Sequence, residues 1–125
     1  MVLDLGAFSL SLAVKDIHAS YDFYQKLGFD MIAGDIDEKW LILQHQQHVI
    51  GLFEGMLERN VLTFNPGWDQ QGQRLPAFND IRQIQAHLLR QGLHLLHPVD
   101  LHSHGPASCM LEDPDGNPIL IDQHI

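Results

Sequence analysis

The chain has 125 residues, which is room for one domain, and its apolar share of 45% is enough for a packed core. No run approaches the roughly 18 consecutive apolar residues of a membrane span. A formal charge of −9, with no Lys/Arg stripe to offset it, speaks against nucleic acid as a partner.

The opening MVLDLGAFSL lacks a basic stretch leading into an apolar run and a cleavage site, so no export signal is expected. Cys109 is the single cysteine and has no disulfide partner within the chain, which makes the cytoplasm the default home.

In chain order, Phe8 to Val14 reads as a strand. Asp16-Ile17 then opens a helical pattern that closes at Gly28, with Ile17, Ser20 or Tyr21, Tyr24 and Leu27 at helical spacing. An N-cap carboxylate suits Asp16, because it accepts orphan amide protons of the first turn, and a left-handed residue suits Gly28. Phe29 to Ile32 reads as the next strand. Trp40 to Leu43 and Val49 to Phe53 form a hairpin around the polar turn His45-Gln46-Gln47-His48.

The second half repeats this order. Val61 to Asn65 reads as a strand, and Asp80-Ile81 opens a helix closing at Gly92, with the same spacing of twelve residues from aspartate to glycine. Leu93 to Leu96 is the expected strand after it. Ser108 to Leu111 and Ile119 to Ile121 flank Asp113-Pro114-Asp115-Gly116-Asn117, where proline presets one turn angle and glycine permits a positive φ. The stretch from Asn65 to Asn79 breaks the symmetry and reads as an irregular inserted loop. Loops of that length are functional or disordered more often than not. Trp68 within it is therefore a candidate contact, although with Phe78 it could simply pin the loop. The expectation is one domain, 1–125, made of two βαβββ modules at about 5–55 and 60–125.

Leu12-Ala13-Val14-Lys15-Asp16, Tyr21-Asp22-Phe23-Tyr24, Leu27-Gly28-Phe29 and the Asp113-Pro114-Asp115-Gly116-Asn117 hairpin together resemble the vicinal-oxygen-chelate superfamily of glyoxalases, bleomycin-resistance proteins and dioxygenases. Gly51-Leu52-Phe53-Glu54 and Leu62-Thr63-Phe64 fit the strands between. The resemblance implies an α+β fold, a curved, half-open, eight-stranded mixed sheet around a cavity with the helices outside. It also implies up to four metal ligands on the sheet, usually His, Glu or Gln, holding an ion that stabilises negative charge on substrate oxygens.

Counted from the matched motifs, those four positions fall on Ser9, Gly51, Val61 and Leu120. None is a divalent-metal ligand, so no metal and no cofactor are expected there. His45 with His48, and His102 with His104, could form a different metal site or could be solvated loop residues. His124, near the chain end, carries little weight.

Alternation along strands extends the inward set implied by the resemblance to Ser11, Phe53, Thr63, Asn65 and Asp122, with Trp40 and Trp68 at the rim. Asp122 could accept hydrogen bonds from a ligand or pair with a cationic one, or it could be structural. Gly51 leaves room for a ligand or a neighbouring side chain. The reading favoured on these grounds is a metal-independent small-molecule-binding protein, a homodimer by resemblance. The alternatives are a lyase or dioxygenase of the same superfamily with a non-standard site, and an interaction module with a vestigial cavity.

Overall fold

In a computed structural model, which describes residues 3–125, both helices start at the aspartates singled out above. Asp16 caps α1 (Ile17–Lys26), its carboxylate accepting the amide protons of His18 and Ala19. Asp80 caps α2 (Ile81–Arg90) by accepting from the Arg82 amide, and its own amide donates to the Gln83 side chain, which completes a capping box. Gly28 and Gly92 follow the helices with φ of 102° and 82°, the left-handed stop expected of them. Among the described residues no helix is long and apolar enough to cross a membrane.

The chain forms two compact units. The first is Ser9–Val61. It holds most of β1 (Ala7–Val14), then α1, β2 (Asp30–Asp35), β3 (Trp40–His45) and β4 (His48–Glu54), with the strands ordered β2-β3-β4-β1. The β1–β4 pair is parallel, and β3 is antiparallel to both neighbours. Ile17 on α1 and Leu41, Leu43 and Leu52 on the sheet are completely buried together. Each such burial is worth about 1.5–3 kcal/mol. Glu54 at the end of β4 accepts the Ile17 amide proton at 3.0 Å and pairs with Lys39 at 3.2 Å, which ties the helix start to the sheet.

The second unit comprises residues 3–8 together with Leu62–Ile125. Its strands are β5 (Val61–Asn65), β6 (Ala107–Glu112) and β7 (Pro118–Gln123), ordered β5-β7-β6, with β5 parallel and β6 antiparallel to β7. Ile81, Ile84 and Leu88 of α2 bury their face on Cys109, Leu111 and Ile121, with Leu95 and Val99 closing the core. Leu3 and Leu5 pack at its edge.

One expected strand is missing, so the described residues contain seven strands, not eight. Leu93 to Leu96 forms no ladder. Leu96 donates to the Met110 carbonyl, His97 makes an isolated bridge to Met110, and Pro98 then has no amide proton to continue. The segment is held instead from α2. The buried Gln85 side chain accepts from the Val99 amide at 2.6 Å and donates to the Val99 carbonyl at 2.9 Å, doing for one residue what a strand partner would do.

Candidate functional site

In the first unit, the side chains that pack on α1 come from Leu12, Val14, Leu41, Leu43, Ile50 and Leu52. Alternation therefore puts Ser9, Ser11, Trp40, Gly51 and Phe53 on the opposite face of the sheet. The register brings Ser11 beside Gly51 and Trp40 beside Phe53. A Cβ built on Gly51 would lie 2.5 Å from the Phe53 ring, so it is this ring that uses the space the glycine leaves. Val61, at the start of β5, is buried.

In the second unit, Ile119 and Ile121 face α2, so Leu120 and Asp122 face away from it, with Thr63 beside Leu120 in register. Asn65 donates through Nδ2 to the Asp122 carbonyl at 2.8 Å. The Asp122 carboxylate lies 3.2 Å from His124 Nε2. The His124 ring in turn stacks on Trp68, with ring centres 4.8 Å apart and planes 3° apart. Asn65, Trp68 and Asp122 are thus joined, and the link between Asp122 and Trp68 is His124, to which sequence position gives little weight.

Trp68 also forms a wall of an open cleft of about 250 Å³. The inserted loop supplies Asp69, Gln70 and Leu75, and the start of the chain supplies Asp4, Gly6 and Ala7. The loop is well organised. Asp69 Oδ1 accepts from the Gln71 and Gln73 amides, and Leu75 donates to the Gly67 carbonyl. The Gln70 amide bonds both the N–H and the carbonyl of Phe8, so it fastens the loop to the start of β1. Gly6, at φ 81°, lets the first residues lie against Asn65, where a Cβ would meet the carbonyl oxygen at 2.0 Å. The lining includes the acidic residues Asp4 and Asp69 together with Trp68, and no basic residue.

Of the residues expected from the sequence, Trp68 alone lines this cleft. Asp4, Gly6, Ala7, Asp69, Gln70 and Leu75 escaped. The length of the 65–79 loop pointed to its half of the cleft, but nothing in the sequence brings residues 4–7 to it.

The four positions matched to the superfamily's metal ligands do not fit a metal. Gly51, Val61 and Leu120 offer no donor side chain, and Ser9 offers a neutral hydroxyl. Among the described residues, no group of three or more His, Cys, Asp or Glu side chains converges on one point.

Residues 6–121 match the family model of the Glyoxalase/Bleomycin resistance protein/Dioxygenase superfamily. No curated protein sequence matches the chain. Among solved structures, a glyoxalase/bleomycin resistance protein/dioxygenase superfamily member from Vibrio splendidus 12B01 aligns with 17% identity and a TM-score of 0.62, over 93% of this chain and 97% of that one. A protein from Legionella pneumophila described as an NAD-dependent benzaldehyde dehydrogenase aligns with 14% identity and a TM-score of 0.69, over 94% and 99%. Homoprotocatechuate 2,3-dioxygenase from Brevibacterium fuscum aligns with 18% identity and a TM-score of 0.55, over 96% of this chain and 37% of that one. At these identities the likeness is one of fold. The family-model match covers nearly the whole chain, and the protein belongs to the Glyoxalase/Bleomycin resistance protein/Dioxygenase superfamily.

Proposed function

We propose that the protein binds a small organic molecule, cationic or neutral, without a metal ion, in the manner of the sequestering members of its superfamily and not as a lyase or dioxygenase. The observation that carries this reading is the cleft lined by Trp68 and Leu75 beside the acidic residues Asp4 and Asp69. Aromatic faces attract ammonium and guanidinium groups, and nearby carboxylates add to that attraction. A volume of about 250 Å³ lies just below the usual size of small-molecule pockets, so the cleft suits one small group or one end of a larger ligand. The lack of ligating side chains at Ser9, Gly51, Val61 and Leu120 supports the metal-free half of the proposal.

The same proposal includes a homodimer in the cytoplasm with no nucleic-acid partner. Phe23 on α1, Leu27 at its C-cap, and Met31 and Ile32 on the outermost strand β2 of the first unit are all about half exposed. An unpaired strand edge with apolar neighbours is a surface that proteins commonly cover. Light scattering that finds only a 14.2 kDa species at micromolar concentration would remove the dimer from the proposal.

Two experiments test the binding reading. Benzyltrimethylammonium and phenylacetate are titrated against the protein while tryptophan emission is followed, with Trp68→Phe as the control. The ammonium is expected to bind and the carboxylate not, with the response lost in Trp68→Phe. Equal binding of both, or an unchanged response in the variant, overturns the assignment. Methylglyoxal–glutathione hemithioacetal and a catechol are then assayed with and without zinc, nickel, manganese or iron. No turnover is expected, and robust metal-dependent turnover would put the enzyme reading in front.

A further inference from the structure

We propose that the β3–β4 hairpin of the first unit carries a binding site for a late first-row divalent cation, with His45 and His48 as its two imidazole ligands. His45 ends β3 and His48 begins β4, and the two are register partners across the turn Gln46-Gln47. Cross-strand partners project their side chains to the same face, so the hairpin itself brings the imidazoles together. Their ring centres are 6.3 Å apart, with 20° between the planes. An ion about 2.0–2.1 Å from a ring nitrogen stands roughly 3.2 Å from that ring's centre, so two rings sharing it can be at most about 6.4 Å apart. The rings are stacked as they stand, so sharing an ion in the plane of both requires the exposed His48 side chain to rotate and draw its ring nitrogen toward that of His45.

His45 is held in place before any ion arrives. Its ring packs on Phe29 with centres 5.6 Å apart. It also lies over Gly28, where a Cβ would stand 3.1 Å from Cδ2 and 3.3 Å from Nε2, so the absence of a side chain there makes room for the imidazole. Neither imidazole takes part in a hydrogen bond or ion pair among the described residues. Gly28 follows the last turn of α1, the negative end of the helix dipole, which favours a cation beside His45. Two imidazoles suit copper, nickel and zinc, and copper(II) binds such nitrogen sets most tightly. Water completes the coordination, which makes this an exposed binding site of moderate affinity.

The test uses the whole chain, stripped with a chelator and titrated with copper(II) at neutral pH. Calorimetry gives the affinity, electron paramagnetic resonance the nitrogen count, and proton NMR the imidazoles that broaden first. One equivalent is expected to bind with two imidazole nitrogens, and the His45 and His48 signals are expected to broaden before those of the other histidines. His48→Ala, at an exposed hairpin position, is expected to weaken binding at least tenfold, whereas a His102→Ala, His104→Ala double variant leaves it unchanged. The proposal is overturned if His48→Ala binds as the parent does, or if the double variant takes the loss. It is equally overturned if the His45 and His48 signals stay sharp at one equivalent, an outcome that needs no variant to fold.

Discussion

The indole of Trp68 lies flat on the imidazole of His124, 4.8 Å between ring centres, while Nε2 of the same imidazole lies 3.2 Å from the Asp122 carboxylate. The chain end is thereby anchored to the inserted loop that carries the cleft. Aromatic pairs contribute about 0.5–1.5 kcal/mol beyond the area they bury. His124→Ala is therefore expected to lower stability by about 1 kcal/mol in urea unfolding and to change the Trp68 emission. An unchanged spectrum would mean that the stack does not persist in solution.

Gly6 holds the other wall of the cleft. Its φ of 81° disfavours any L side chain, and a Cβ would run into the Asn65 carbonyl and the Pro66 Cα. Gly6→Ala is expected to cost about 2–3 kcal/mol, since both the strain and the clash must be relieved by moving residues 4–7. Binding of the aromatic ammonium probe should weaken with it. If unfolding shows no loss, the initial segment does not lie where the structure has it.

Acid should destabilise the fold through three carboxyls. Asp80 titrates below its ordinary range. Burial pulls it upward, but the Arg82 amide, the Gln123 side chain and the Arg82 guanidinium together pull it down further. Glu54 is lowered by the hydrogen bond from the Ile17 amide and then by Lys39, and Asp113 by the side chain and then the backbone of Asn117. A depressed folded pKa contributes stability that is complete above the unfolded value, near pH 4, and lost as pH falls through the folded value. Unfolding free energy is thus expected to be level around pH 6 and to fall below about pH 4. Asp80→Asn should flatten that fall in chemical denaturation measured across the range, and an equally steep fall in the variant would remove Asp80 from the account.

Gln123, only 2% exposed, links the end of β7 to the start of α2. Its Oε1 accepts the Ile81 amide proton at 2.8 Å, and its Nε2 donates to Asp80 and to the Ile125 carbonyl. Gln123→Leu keeps the volume but strips the Ile81 amide of its partner, which for a buried donor costs about 1–3 kcal/mol. A loss in that range is expected from thermal or urea unfolding. A neutral result would show that water or a shifted helix takes over the bond.

Cys109 is completely buried between α2 and the sheet, and burial pushes its thiol up to about 11. The native protein is expected to resist iodoacetamide at pH 8 and to react readily once unfolded. Rapid labelling of the native chain would mean that the second core opens far more often than its packing implies.

Local chemistry along the chain determined a good deal of this protein. Asp16 and Asp80 cap, and Gly28 and Gly92 stop, because those tasks depend on one side chain and one backbone angle, and the paired strands of both hairpins follow from period-two alternation. That Gly51, Val61 and Leu120 carry no ligating side chain is read from the sequence in the same way, whatever the fold. Tertiary structure alone decided the rest. Leu93 to Leu96 has a strand's composition, yet Pro98 and the Gln85 side chain hold that region in another way. His124 looked incidental near the chain end until folding laid it on Trp68. The cleft joins residues 4–7 to 68–75, and a contact between segments some sixty residues apart leaves no trace in the spacing of either.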